Sequence, residues 1–155
     1  MHMNTTRVQL ALNVDDVAEA AAFYTRLFGM PPRKQRAGYA NFAVEDPPLK
    51  LVLIENPSAA ERLNHLGVET RSSEEVTAAA ARFRAAGLET TVAEQDVCCH
   101  AVQDKIFVAA PDVPLGWWEF YAVTDDNPAN PDAATTSVCA VNCAAEDGPR
   151  ATCCA

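Results

Sequence analysis

The chain has 155 residues, 21 Asp and Glu against 12 Lys and Arg, and a net charge of -9. That acidity, with no cluster of basic residues, excludes nucleic acid and anionic membrane as partners. The length allows a core of its own, no apolar run is long enough to span a bilayer, and the start lacks a signal-peptide layout. The six cysteines therefore read as reduced thiols of a cytoplasmic protein, not as a disulfide framework.

In chain order, Val8 to Val14 alternates as a strand, with Val8, Leu10, Leu12 and Val14 on one face and Gln9, Ala11 and Asn13 on the other. A helix follows. Asp16 and Glu19 form a D-x-x-E cap signature, Val17, Ala20, Ala21, Tyr24, Leu27 and Phe28 form the apolar stripe, and Gly29 ends it. After an irregular stretch over 33–37 come two strands, Tyr39–Val44 and Leu49–Glu55. The plan then repeats at an offset of 56 residues: Leu10 falls on Leu66, Leu12 on Val68, Gln9 on His65, and the cap pair Asp16/Glu19 on Ser72/Glu75. The second helix carries Val76, Ala79, Ala80, Phe83 and Ala86 and ends at Gly87; strands are predicted over Glu89–Ala93, Lys105–Ala109 and Trp117–Val123. A strand-helix-strand-strand-strand unit, used twice, predicts an α+β fold of two βαβββ modules about a pseudo-twofold axis with a shared cleft. From Asp125 to Ala155 there is no aromatic residue and there are three prolines, so this segment reads as a flexible tail that cannot offset the entropy of ordering.

Two constellations carry chemistry. The adjacent pair Cys98-Cys99 lies between two predicted strands, and in a loop both thiolates can converge on one soft, thiophilic atom. Two unrelated small hydrophobes, or a strained vicinal disulfide, are the plain alternatives. Four further cysteines, Cys139, Cys143, Cys153 and Cys154, fall in the last 17 residues. The second constellation is Gln9 and His65, equivalent in the repeat, with Glu119 in the aromatic strand Trp117–Tyr121. A buried carboxylate needs a partner, and a divalent cation shared with His65 and Gln9 would be one. Aligning the closing strands puts Leu51 or Leu53 at the first-half position of Glu119, which leaves three protein ligands and open positions for substrate and dioxygen. Each residue also has an ordinary reading: Gln9 as an edge polar group, His65 as a satisfied core histidine, Glu119 as the partner of a Lys or Arg.

The duplicated unit with ligands on first and last strands resembles the vicinal oxygen chelate superfamily of glyoxalase I, extradiol dioxygenases and bleomycin-resistance proteins. More narrowly, RVQLALNVDD, GYANFAVEDPPLKLVLIENP, LNHLGVE and CC-x3-QDK resemble organoarsenical C–As lyases and cadmium-induced proteins. The resemblance implies a vicinal oxygen chelate domain over 1–124, with modules at about 6–56 and 62–124, followed by the Cys-containing tail 125–155. It further implies an Fe(II)-dependent dioxygenase that cleaves the carbon–arsenic bond of trivalent organoarsenicals. The metal ligands and catalytic residues would be Gln9, His65 and Glu119, and the arsenic-binding pair Cys98 and Cys99. His100 departs from the aromatic residue expected after that pair. The alternatives are a non-enzymatic cadmium or arsenite buffer, or another dioxygenase or isomerase of the superfamily. A homodimer is left open.

Overall fold

In a computed structural model of the chain, residues 5–98 and 101–126 are described, Cys98 through its backbone only. Eight strands and two helices follow the expected plan twice. Module one is β1 (Arg7–Val14), α1 (Val17–Phe28), β2 (Lys34–Arg36), β3 (Tyr39–Val44) and β4 (Leu49–Glu55). Module two is β5 (Leu63–Glu69), α2 (Ser73–Ala85), β6 (Thr90–Cys98), β7 (Ala101–Ala109) and β8 (Trp117–Asp125). The irregular stretch is the short strand β2. β6, β7 and β8 run longer than the apolar pattern suggested, because their added residues pair with one another through backbone groups, which hydropathy does not report.

Both helices start as their cap signatures require. Asp16 Oδ1 accepts from the Glu19 N–H at 2.9 Å and Ser72 Oγ from the Glu75 N–H at 3.3 Å, satisfying N–H groups that the first turn leaves open. Gly29 ends α1 in the left-handed region at φ 67°, the conformation glycine adopts at least cost.

All strands form one sheet in the order β2-β3-β4-β1-β5-β8-β7-β6. β1 and β5 run antiparallel at its centre, each flanked by the parallel closing strand of its own module. The helices cover one face. Val17 and Ala21 of α1 pack on Phe42, Leu51 and Leu53; Val76, Ala80 and Phe83 of α2 pack on Ile106 and Ala122. Leu27, counted in the α1 stripe from its spacing, is 59% exposed, since Tyr24 and Phe28 already fill the contact with Phe42.

The other face is concave and is the more buried one along β1: Arg7, Gln9, Ala11 and Asn13 are all buried while Val8 is exposed. The sheet curls until the edge strand of module one meets the end of β8. There Lys34 Nζ donates to the Asp126 carbonyl at 2.6 Å and to its carboxylate at 2.9 Å. That closure encloses a cleft between the modules. Among the described residues no helix is long and apolar enough to cross a membrane.

Candidate metal centre and cleft

A strand alternates its side chains, so β1, β5 and β8 each present one residue in two to the concave face. Gln9 on β1 and Glu119 on β8 both pair with Gly67 on β5, and His65 is two residues from Gly67 on the same face. The three side chains converge. Gln9 Nε2 is 3.0 Å from His65 Nε2 and 3.5 Å from Glu119 Oε2, and His65 Nε2 is 2.8 Å from Glu119 Oε2. Gly67 makes this approach feasible. A Cβ at that position would sit 2.8 Å from the Glu119 carbonyl oxygen and 3.4 Å from Gln9 Nε2.

Each member is held from behind. Asn64 Nδ2 donates to Asn13 Oδ1 at 3.0 Å, so its own Oδ1, 2.7 Å from His65 Nδ1, accepts the proton on that nitrogen. That leaves Nε2 as the nitrogen facing the cleft. Glu119 Oε1 is 3.1 Å from Lys105 Nζ, and Lys105 is itself 3.8 Å from Asp96; all three residues are buried. Burial by itself would raise the Glu119 carboxyl. The Lys105 charge, followed by the hydrogen bond and charge of His65, outweighs it and holds the group at about 2. Glu119 is thus ionised throughout the ordinary pH range.

Gln9 Oε1 accepts from the Tyr121 hydroxyl, which also lies 3.1 Å from Glu69 Oε2. Lys50 Nζ pairs with the same Glu69 oxygen at 2.8 Å. Burial, then Glu69, Glu119 and Tyr39, push the Tyr121 phenol well above its usual value, so it stays a proton donor. It has one proton and two acceptors. When that proton goes to Glu69, the Gln9 amide can turn so that Nε2–H donates to the phenol and Oε1 faces His65 and Glu119.

Three donors around one transition metal at about 2.1 Å lie roughly 3 Å apart; His65 Nε2 and Glu119 Oε2 have that spacing, and Gln9 would complete it through Oε1 with its amide turned. Among the described residues no three His, Cys, Asp or Glu side chains form a group able to hold a metal, so a metal in this cleft depends on the amide of Gln9. The enclosed part of the cleft is about 50 Å³, and the cleft opens from there to solvent.

Sequence reasoning missed the lining residues Tyr39, Asn41, Lys50, Asn64 and Tyr121, and Lys105 behind Glu119. The available signal was a Lys, Asn or Tyr at a concave-face position of an otherwise apolar strand. The pseudo-symmetric partner of Glu119 also needs correction. Gly67 pairs with Glu119 and its equivalent Ala11 pairs with Val52, so the partner is Val52; Leu51 and Leu53 point to the helix face and pack under α1. Trp118 and Phe120, likewise, face α2 and do not surround the carboxylate.

The pair Cys98-Cys99 was expected wholly in a loop. Cys98 instead ends β6 and pairs with Ala101, because the β6–β7 ladder continues to that register. Cys99 and His100 lie outside the described residues, as do Cys139, Cys143, Cys153 and Cys154. Ala101 and Gln103, on the strand that follows the pair, line the cleft.

Residues 6–113 match the pattern of the Glyoxalase/Bleomycin resistance protein/Dioxygenase superfamily. The chain is 53% identical over 122 residues to the cadmium-induced protein CadI of Mycobacterium tuberculosis, covering 79% of each chain. It is 50% identical over 122 residues to the trivalent organoarsenical cleaving enzyme of Thermomonospora curvata, covering 78% of this chain and 80% of that one. Among solved structures, the Mn(II)-bound glyoxalase of Novosphingobium aromaticivorans aligns with a TM-score of 0.52 at 21% identity, over 76% of this chain and 40% of that chain. That likeness is one of fold.

Proposed function

Because the chain belongs to the glyoxalase/bleomycin resistance protein/dioxygenase superfamily, we propose that it is a metal-dependent enzyme of arsenic detoxification. It cleaves the carbon–arsenic bond of trivalent methyl or aryl arsenicals with Fe(II) and dioxygen, and releases arsenite. The observation that carries this reading is the convergence of Gln9, His65 and Glu119 in the cleft. The 50% identity to a trivalent organoarsenical cleaving enzyme supports the choice of substrate.

A trivalent monosubstituted arsenical has two exchangeable ligands and one carbon. The thiolates of Cys98 and Cys99 displace the former, leaving the As–C bond as the remaining substituent, and two sulfur ligands suit a soft centre. Cys98 ends the strand that pairs with β7, and β7 and β8 carry Lys105 and Glu119, so the hairpin and the metal ligand belong to one rigid ladder. Holding the bond in a fixed orientation replaces an encounter in solution with an intramolecular one. Lys105 keeps Glu119 ionised, Asn64 engages His65 Nδ1 so that Nε2 is the nitrogen turned to the metal, and Trp117 shields the cleft. Gln9, His65 and Glu119 would hold Fe(II), which would supply the redox chemistry that activates dioxygen.

The test measures arsenite release and oxygen consumption with a trivalent phenyl or methyl arsenical under Fe(II). Wild type is expected to turn over, while Cys98→Ser and Cys99→Ser lose cleavage and keep their iron, since a hydroxyl is a poor soft ligand. Normal cleavage by both variants defeats the mechanism. A thiol buffer for cadmium or arsenite is the second reading, favoured by the four cysteines near the carboxyl terminus and by the name of the 53% identical relative. A buffer binds the arsenical without releasing arsenite from it.

A further inference from the structure

The concave face of module one differs in kind from the site around His65. Ala11, Tyr39, Val52 and Ile54 form a buried apolar cluster there, and the polar side chain of Asn41 adjoins it, with Lys34 and Lys50 farther along the cleft wall. Asn41, on β3, is 4% exposed and lines the cleft. Its Nδ2 donates to the Tyr39 hydroxyl at 2.9 Å, while its Oδ1 has no hydrogen-bond partner among the described residues. A buried acceptor with no partner is costly, and native structures hold few of them. The paired row Asn41–Val52–Ala11–His65 runs directly across the sheet, so this acceptor and the metal candidate bound opposite sides of one apolar floor. Trp117 stands on the far wall, its ring centroid 5.1 Å from that of His65.

An apolar floor beside an aromatic wall fits a flat ring, and a single open acceptor beyond it fits a hydrogen-bond donor on that ring. We propose that Asn41 is a specificity-determining residue: its Oδ1 accepts from a hydroxyl or amino substituent on the organic group of an aryl arsenical. The cleft thereby selects donor-substituted arenes over the unsubstituted ring and over methyl. This inference rests on the organoarsenical reading above. A site built to hydrogen-bond a substituent rejects the analogue that lacks it, because its own polar group is then left buried and unpaired.

The experiment compares trivalent 4-hydroxyphenyl, phenyl and methyl arsenicals on wild type, Asn41→Leu, Asn41→Val and Tyr39→Phe in the full chain. Two readouts are taken: kcat/KM for arsenite release with Fe(II), and binding to the metal-free protein from quenching of tryptophan fluorescence, since Trp117 lines the cleft. Wild type is expected to favour the hydroxyphenyl over the phenyl compound by about tenfold in both, the worth of one buried hydrogen bond. Asn41→Leu and Asn41→Val bring the ratio to about one by weakening the hydroxyphenyl compound alone. Asn41→Val carries the test if the larger leucine prevents folding. Tyr39→Phe removes the neighbour of Asn41 without removing Oδ1 and keeps the ratio. No preference in wild type, an unchanged ratio in both Asn41 variants, or equal loss in Tyr39→Phe overturns the assignment. Tight binding without arsenite release from any compound defeats the enzymatic reading, yet the binding ratio still tests Asn41. Absence of binding overturns both.

Discussion

At equivalent places about the pseudo-twofold axis, β8 of module two carries Trp117, Glu119 and Tyr121, while β4 of module one carries Lys50, Val52 and Ile54. Lys105 of β7 corresponds to Tyr39 of β3, and Phe107 to Asn41, by the same pairing. One backbone plan thus carries the compensated charges of His65, Glu119 and Lys105 in one half and, at the equivalent place in the other, an apolar patch of Ala11, Tyr39, Val52 and Ile54 beside Asn41. The two could diverge because the fold rests on the helix faces, where both modules keep Val, Ala and Phe. The concave face contributes less to folding in module two and is free to hold groups that cost stability. Two modules with identical concave faces would offer four ligands and no room for an organic group; Val52 in place of a carboxylate leaves one side of the cleft to substrate.

The comparison breaks most directly at Glu119. Glu119→Ala removes the charged member of the proposed metal site and takes from buried Lys105 its nearer carboxylate, so metal affinity and turnover are expected to fall by more than about a hundredfold. Arsenical binding is expected to persist, because the proposed thiol site does not include Glu119. Metal titration followed by arsenite assay checks it, and near-normal activity would sink the role given to Glu119. Lys105→Met tests the support behind that ligand. Loss of the cation 3.1 Å from Oε1 lowers metal affinity about 10–100-fold, with partial recovery in Lys105→Arg. An unchanged metal isotherm would make Lys105 merely structural.

Gly67→Ala addresses the junction of the two halves. A Cβ 2.8 Å from the Glu119 carbonyl forces β5 and β8 apart, at about 1–3 kcal/mol of stability, and separates Gln9 from Glu119. Denaturant unfolding and metal binding should both move; a wild-type midpoint would refute the close approach. The smallest effect is on acid stability. The Glu119 carboxyl is held at about 2 against an ordinary 4.5, so its contribution is present above pH 4.5 and is lost as pH falls toward 2. Glu119→Gln should flatten the acid limb of the metal-free protein over that interval, and an unaltered limb would contradict the ionised assignment.

The duplicated plan, both helix starts, β1, β3 and β4 were legible in the chain, because caps and alternation are local signals set by neighbouring residues. So was the trio Gln9, His65 and Glu119, since the offset of 56 marked the first two as equivalent and a carboxylate among aromatics marked the third. Lys105 and Asn41 were not. Each lies in an apolar strand whose sequence looks the same whether its concave side meets solvent or is folded over. The polar face of β1 reads as the wet face by alternation alone; it is the buried one because the sheet curls until Lys34 reaches Asp126. Hydropathy along a strand records which residues share a face, and only the curvature of the whole sheet decides which face becomes an interior and which lone polar atoms are left there to meet a ligand.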